Sequence, residues 1–138
     1  MIDPAALAAR LDDVRTRIAN AAGRARRDPS SIRLIAVSKT VPPDAVRAAA
    51  AAGQVDFGEN KVQEALTKIE VTGDLPLRWH FLGHLQSNKA KKAGAAFDVI
   101  QSVDDPSLFG PIERGALDAN RSVEALLQVD LAAESTKF

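Results

Sequence analysis

The chain has 138 residues, no net charge, 46% hydrophobic residues and no cysteine, a composition of a globular α/β-type domain that excludes disulfides, thiolate metal sites and cysteine nucleophiles. Zero net charge leaves no global field to draw in nucleic acid or anionic lipid, so polyanion binding would need a local cluster such as Lys89, Lys91 and Lys92. No apolar run approaches the roughly 20 residues that span a bilayer, and Met1-Ile2-Asp3-Pro4 lacks the layout of a signal peptide, so no membrane is expected and the expected location is the cytoplasm.

The first element is a helix. Leu7, Leu11, Val14 and Ile18 recur on one helical face behind Asp3 as N-cap and Pro4 at the first helical position, and this helix is expected across the bottom of a sheet or barrel. A strand follows over Arg33 to Ser38, then an Ala-rich helix from Pro43-Asp44 that Gly53 ends. The second strand is read over Gln54 to Phe57, and a helix from Asn60 carries Val62, Leu66 and Ile69 on one face. The third strand covers Trp79 to Leu82, and a short basic helix begins at Ser87. The fourth strand runs from Asp98 to Val103, a helix is capped by Asp105 with Pro106 behind it, and the fifth strand spans Glu124 to Leu131.

Strand exits at Lys39, Asn60, Gly83, Val103 and Leu131 recur about every 20 to 28 residues, a βα repeat length. Eight such units need on the order of 220 to 250 residues. The pattern therefore predicts an α/β fold, a (β/α)₈ TIM-type barrel of which residues 1–138 supply about the first five βα units, a truncated barrel. An open flavodoxin-like sheet is the structural alternative. It ranks second because the first strand runs into Ser38-Lys39-Thr40-Val41-Pro42-Pro43 without the glycines of a phosphate loop. A truncated barrel would expose two strand edges and part of its core, so the expectation is that the short chain folds poorly alone, dimerises through those edges or comes from a longer protein, with a monomer expected of the complete protein.

Lys39 is expected at the carboxyl end of a buried strand, where barrel active sites are built. An apolar surround would lower its pKa and favour the uncharged amine that an imine requires; the bland reading is a lysine reaching solvent. Asn60 closes the second strand after Phe57-Gly58-Glu59. It can face a ligand, or simply cap the next helix in a capping box with Gln63, and the two roles are compatible. Around the third strand, alternation puts His80 and Leu82 on one face and Trp79 and Phe81 on the other. His80 reads as a buried histidine satisfied by a neighbouring carbonyl; His84 is better placed to meet a ligand, or is a loop residue. The two histidines are four apart, but Gly83 and the β-like run before it oppose the helix that would pair them on a metal. Lys89, Lys91 and Lys92 read as a solvated helix face in preference to a nucleic-acid patch. Asp104 and Asp105 have ordinary capping roles available.

Five segments together carry a resemblance. They are Leu34-Ile35-Ala36-Val37-Ser38-Lys39-Thr40, Phe57-Gly58-Glu59-Asn60-Lys61-Val62-Gln63-Glu64, Trp79 to Lys89, Ser102-Val103-Asp104 and Glu134-Ser135-Thr136-Lys137. In this order they resemble the pyridoxal 5′-phosphate (PLP) homeostasis proteins, related in fold to the N-terminal barrel of alanine racemase. The resemblance implies that Lys39 holds PLP as a Schiff base, that Asn60 lies beside the cofactor, and that the segment containing His84 lines the same mouth. It implies a carrier or regulator in vitamin B6 balance without established turnover, with PLP-requiring apo-enzymes as partners. Lys137 matches a loop lysine of open role. The family's Ser/Gly-rich phosphate-binding segments have no counterpart here.

Three other functions compete. A racemase-like PLP enzyme needs a base against the substrate α-carbon, and with no tyrosine in the chain His80 or His84 would have to serve. An aldolase-like enzyme would use Lys39 directly on a carbonyl substrate. A polyanion-binding module would rest on the lysines after Ser87.

Overall fold

A computed structural model describes residues 1–132 of the chain. The helix α1, Pro4–Arg24, begins where Asp3 accepts hydrogen bonds from the N–H groups of Ala5 and Ala6, with Pro4 needing no partner at the first position. The rest alternates: β1 Ala36–Val37, α2 Pro43–Ala51, β2 Asp56–Glu59, α3 Val62–Val71, β3 Arg78–Phe81, α4 Ala90–Ala96, β4 Val99–Val103, α5 Phe109–Asp118 and β5 Glu124–Leu127. Short 3₁₀ turns at Ser87–Lys89 and Pro106–Leu108 lead into α4 and α5.

The strands form one parallel sheet in the order β1-β2-β3-β4-β5. A flavodoxin-like sheet reverses its strand order after the first strand, and no reversal occurs here, so that alternative is excluded. Register shows which residues share a face. Phe57 lies beside Trp79, and Phe81 beside Ile100; these four are buried with Val46, Ala49, Ala65, Ala93, Phe97 and Ile112 from the helices and the loop before β4 in one apolar cluster. Ring pairs Phe57–Trp79 and Phe81–Phe97, with centroids 5.6 and 5.2 Å apart, lie in this layer. Each such side chain contributes about 1.5–3 kcal/mol by leaving water. Where α4 crosses α5, Gly115 lies so close to the Lys91 carbonyl that a Cβ could not fit.

The helix α1 lies beside α2, and Leu7 and Leu11 pack on the cluster as the periodicity requires. Arg15 donates to the Ala52 carbonyl at 2.9 Å and to Gln54 at 3.3 Å, tying α1 to the C-terminal end of α2 and the approach to β2. Both sheet edges are open among the described residues: Val37 on β1 is 53% exposed and Leu127 on β5 is 68% exposed. No helix among these residues is long and apolar enough to cross a membrane.

Candidate functional site

In a parallel sheet every strand ends at the same edge, so the segments after β1, β2 and β3 carry Lys39, Asn60 and His84 to one rim. Asn60 and His84 line a cleft of about 410 Å³ with Lys61, Gln63, Gln86 and Lys89. Gly83 permits this closure, because a Cβ there would run into the Asn60 carbonyl. Lys39 stands at the same rim but is not among the residues lining that cleft.

Three expectations change on inspection. Lys39 is exposed, not desolvated, because β1 is an edge strand whose Val37 is itself open to water. The capping box at Asn60 does not form: α3 starts at Val62, the cap position falls to Lys61, and no side chain caps it. The local explanation of Asn60 is thereby removed, and its exposed carboxamide is left facing the cleft. His80 is buried as expected, but its partners are side chains, with Nε2 2.7 Å from Asp56 Oδ1 and Nδ1 3.1 Å from the Gln101 carboxamide nitrogen. A carboxamide nitrogen only donates, so Nδ1 accepts and Nε2–H donates to Asp56. His84 Nδ1 lies 3.4 Å from Asp104 Oδ2. The histidines thus serve separate carboxylates, and no group of three or more metal-ligating side chains occurs among the described residues. Lys91 pairs with Asp118 at 2.9 Å, in keeping with a solvated helix face. The segment from Glu134 to Lys137 lies outside the described residues.

The turn that carries Lys39 is held unusually. Val41 N–H donates to the Ser38 carbonyl at 3.1 Å, closing a β-turn over Lys39 and Thr40. Thr40 has φ 61°, a left-handed conformation that costs a β-branched residue about 1–3 kcal/mol. On either side of Lys39 the chain is tied to charged groups from β2 and α3. Ser38 Oγ donates to Glu59 Oε1 at 2.6 Å, and Lys68 Nζ donates to the Ser38 carbonyl at 2.5 Å. Lys68 also donates to Glu59 Oε1 at 2.7 Å and to Glu64 Oε1 at 2.9 Å, while Thr40 N–H donates to Glu64 Oε1 at 2.7 Å. Glu59 is fully buried, and Lys68 buried, on the helix-facing side of the sheet.

Burial alone would disfavour the Lys68 ammonium, but the Glu59 and Glu64 carboxylates outweigh it and hold its pKa above the usual value. That contribution to stability is complete below about 10.5 and is lost as pH rises through the higher folded value. Glu64 is shifted down, first by the hydrogen bond from Lys68 and then by that from Thr40 N–H. Its contribution is present above about 4.5 and is lost as pH falls through the lower folded value. Lys68 and Glu64 are therefore both charged across the neutral range.

Sequence reasoning placed Glu59 and Glu64 in a motif without giving them a role, and it passed over Lys68. A signal was present. Lys68 lies three residues after Ala65 and six after Val62, on the buried face of α3, and a lysine there with a glutamate at i−4 marks a buried ion pair.

Comparison with known proteins then places the chain. No family model matches it. Over 131 residues it is 42% identical to a pyridoxal phosphate homeostasis protein of Pseudomonas aeruginosa, covering 95% of this chain and 57% of that protein. The protein of the same name from Escherichia coli K12 is 37% identical over 134 residues, again 95% of this chain and 57% of the relative. A solved structure of PipY from Synechococcus elongatus PCC7942, with PLP bound, aligns with a TM-score of 0.78 at 46% identity over 93% of this chain and 56% of that one. The chain spans little more than half the length of the relatives it matches. With identity of this order running along nearly its whole length and the same fold beneath it, the chain belongs to the family of the pyridoxal phosphate homeostasis proteins.

Proposed function

We propose that this chain is the amine-bearing part of a PLP-binding protein that serves vitamin B6 homeostasis, with Lys39 as the residue that holds the cofactor. The observation that carries the reading is the convergence of Lys39, Asn60 and His84 on one rim of a parallel sheet, in a chain whose relative PipY is solved with PLP bound. Five parallel strands in chain order, with one apolar layer between sheet and helices, correspond to the first five units of a (β/α)₈ barrel, and we read residues 1–138 as the N-terminal part of one such domain. The relatives have length for the remaining units.

The donor set suits this cofactor. When bound, PLP supplies an aldehyde carbon with which an uncharged amine condenses, releasing water, and a pyridine ring that withdraws electrons. Lys39 offers a solvent-accessible amine that makes no ion pair among the described residues. Lys39 follows Ser38, whose N–H is the last in this segment to bond β2, and stands exposed in the turn at the rim of the sheet. Asn60 can both donate to and accept from the ring substituents, and His84, steadied by Asp104, borders the same cleft. Further βα units would supply the backbone N–H groups that a phosphate dianion needs, and would cover the open face of the sheet to dry the amine. The relatives' name favours a carrier or regulator over an enzyme, and the recipients we propose are PLP-requiring apo-enzymes of the cytoplasm.

Treating the full-length protein with PLP and borohydride, then mapping the adduct by peptide mass, is expected to place it on Lys39. Label retained in Lys39→Ala at the unsubstituted level removes the assignment.

A further inference from the structure

The residues that flank Lys39 are anchored to the packed layer, while the Lys39 side chain makes no such tie. Ser38 is held at both its hydroxyl and its carbonyl, and Thr40 at its N–H, by three side chains that belong to one ion cluster. A turn alone does not call for this arrangement. Glycine at position 40 would give the left-handed conformation without strain, whereas here a threonine is kept there by a carboxylate reaching 24 residues back along the chain. Nor is stability a sufficient reason, since a buried lysine–glutamate pair gains little over apolar residues of the same shape. Glu59 Oε2 is moreover buried without a partner, a desolvation cost with no local return.

We infer that Glu59, Lys68 and Glu64 are positioning residues for Lys39, fixing the turn so that its amine meets an incoming aldehyde from a set direction. The inference rests on the reading of Lys39 as the PLP-holding residue. Glu59 receives the hydroxyl of Ser38 and fixes the last residue before Lys39 to β2. Lys68 links the two carboxylates and grips the Ser38 carbonyl from α3. Glu64 takes the first N–H after Lys39 and holds the strained residue in place. The peptide units on both sides of Lys39 are thus fixed to the packed layer, so only the lysine side chain remains to be ordered when the aldehyde arrives. Pre-ordering of this kind acts on the rate of a bond-forming encounter, because the freedom is already given up in the folded protein.

Glu64 is the residue to test, because its side chain is 30% exposed and truncation opens no core cavity. In the full-length protein, Glu64→Ala is expected to slow the borohydride-trapped attachment of PLP to Lys39 by about tenfold. Amide hydrogen exchange at Thr40, followed without PLP, should accelerate in the same variant. Glu64→Gln keeps a carbonyl oxygen for Thr40 and Lys68 and should restore most of the attachment rate. Arg47→Ala serves as the control: it removes the 2.6 Å ion pair between α2 and Asp74 in the loop after α3, without touching the Lys39 turn, and should leave both readouts unchanged. Attachment in Glu64→Ala at the unsubstituted rate, or an equal loss in Arg47→Ala, overturns the positioning role while leaving Lys39 as the attachment point. Absence of label on Lys39 in the unsubstituted protein overturns the attachment reading and this role with it, and faster Thr40 exchange in Glu64→Ala would then mark the cluster as a brace for the turn alone.

Discussion

Strand β2 carries a charged cluster at each end, and the two are built differently. At its start Asp56 faces away from the helices and accepts from His80, which in turn accepts from Gln101; Arg33 and Arg78 stand 3.8 and 3.7 Å from the same carboxylate oxygen. At its end Glu59 faces the helices and joins Lys68 and Glu64. Side chains of β2, β3 and β4 satisfy one another in the first cluster, which therefore fixes how three strands lie side by side. In the second, side chains hold the main chain of a turn, so it fixes where a neighbouring residue is presented. Only a cluster of the second kind can position chemistry without touching it.

Breaking the second cluster should have the largest effect. Lys68→Met leaves Glu59 buried beside no cation, a change worth about 3–5 kcal/mol in urea unfolding, and adding Glu59→Gln should recover a large part of it. If Lys68→Met unfolds at the unsubstituted midpoint, the cluster is not the closed unit described here. The first cluster should be less sensitive. His80→Leu removes one partner from Asp56 and one from Gln101, both partly open to solvent, for a loss of about 1–3 kcal/mol. Attachment of PLP to Lys39 should be unaffected in that variant; a loss comparable to that of Glu64→Ala would erase the distinction between the two ends of β2. The smallest effect is expected at Thr40. Thr40→Gly relieves the left-handed strain but adds freedom to the unfolded chain, so thermal unfolding should shift by no more than the equivalent of about 1 kcal/mol in either direction.

Much of the architecture was legible from pattern. The apolar spacing of α1 and the Asp3-Pro4 start appear where expected; Asp105 accepts from Ser107 N–H but caps the 3₁₀ turn Pro106–Leu108, and α5 itself begins at Phe109. Trp79 and Phe81 turn to the helices and His80 to the other face, as period-two alternation requires. The errors are informative. The second strand was read at Gln54 to Phe57 but pairs over Asp56–Glu59, because the Gln54 side chain bonds the carbonyls of Leu34 and Asp56 and stands outside the ladder. That shift puts Glu59 inside the strand and hence inside the protein. Asn60 carried a capping signal that was not used, since α3 begins one residue later than that signal implies.

Residue order alone was enough to settle element type, face and sequence along the chain, because each depends on neighbours within a turn of helix or a few strand residues. The open strand end at Lys39, the pairing of His80 with Asp56 24 positions away and the grip of Lys68 on Ser38 across 30 positions required the folded chain. Periodicity says which side of an element is buried; it does not say which distant group lies opposite, and a charge inside a protein is defined by that group.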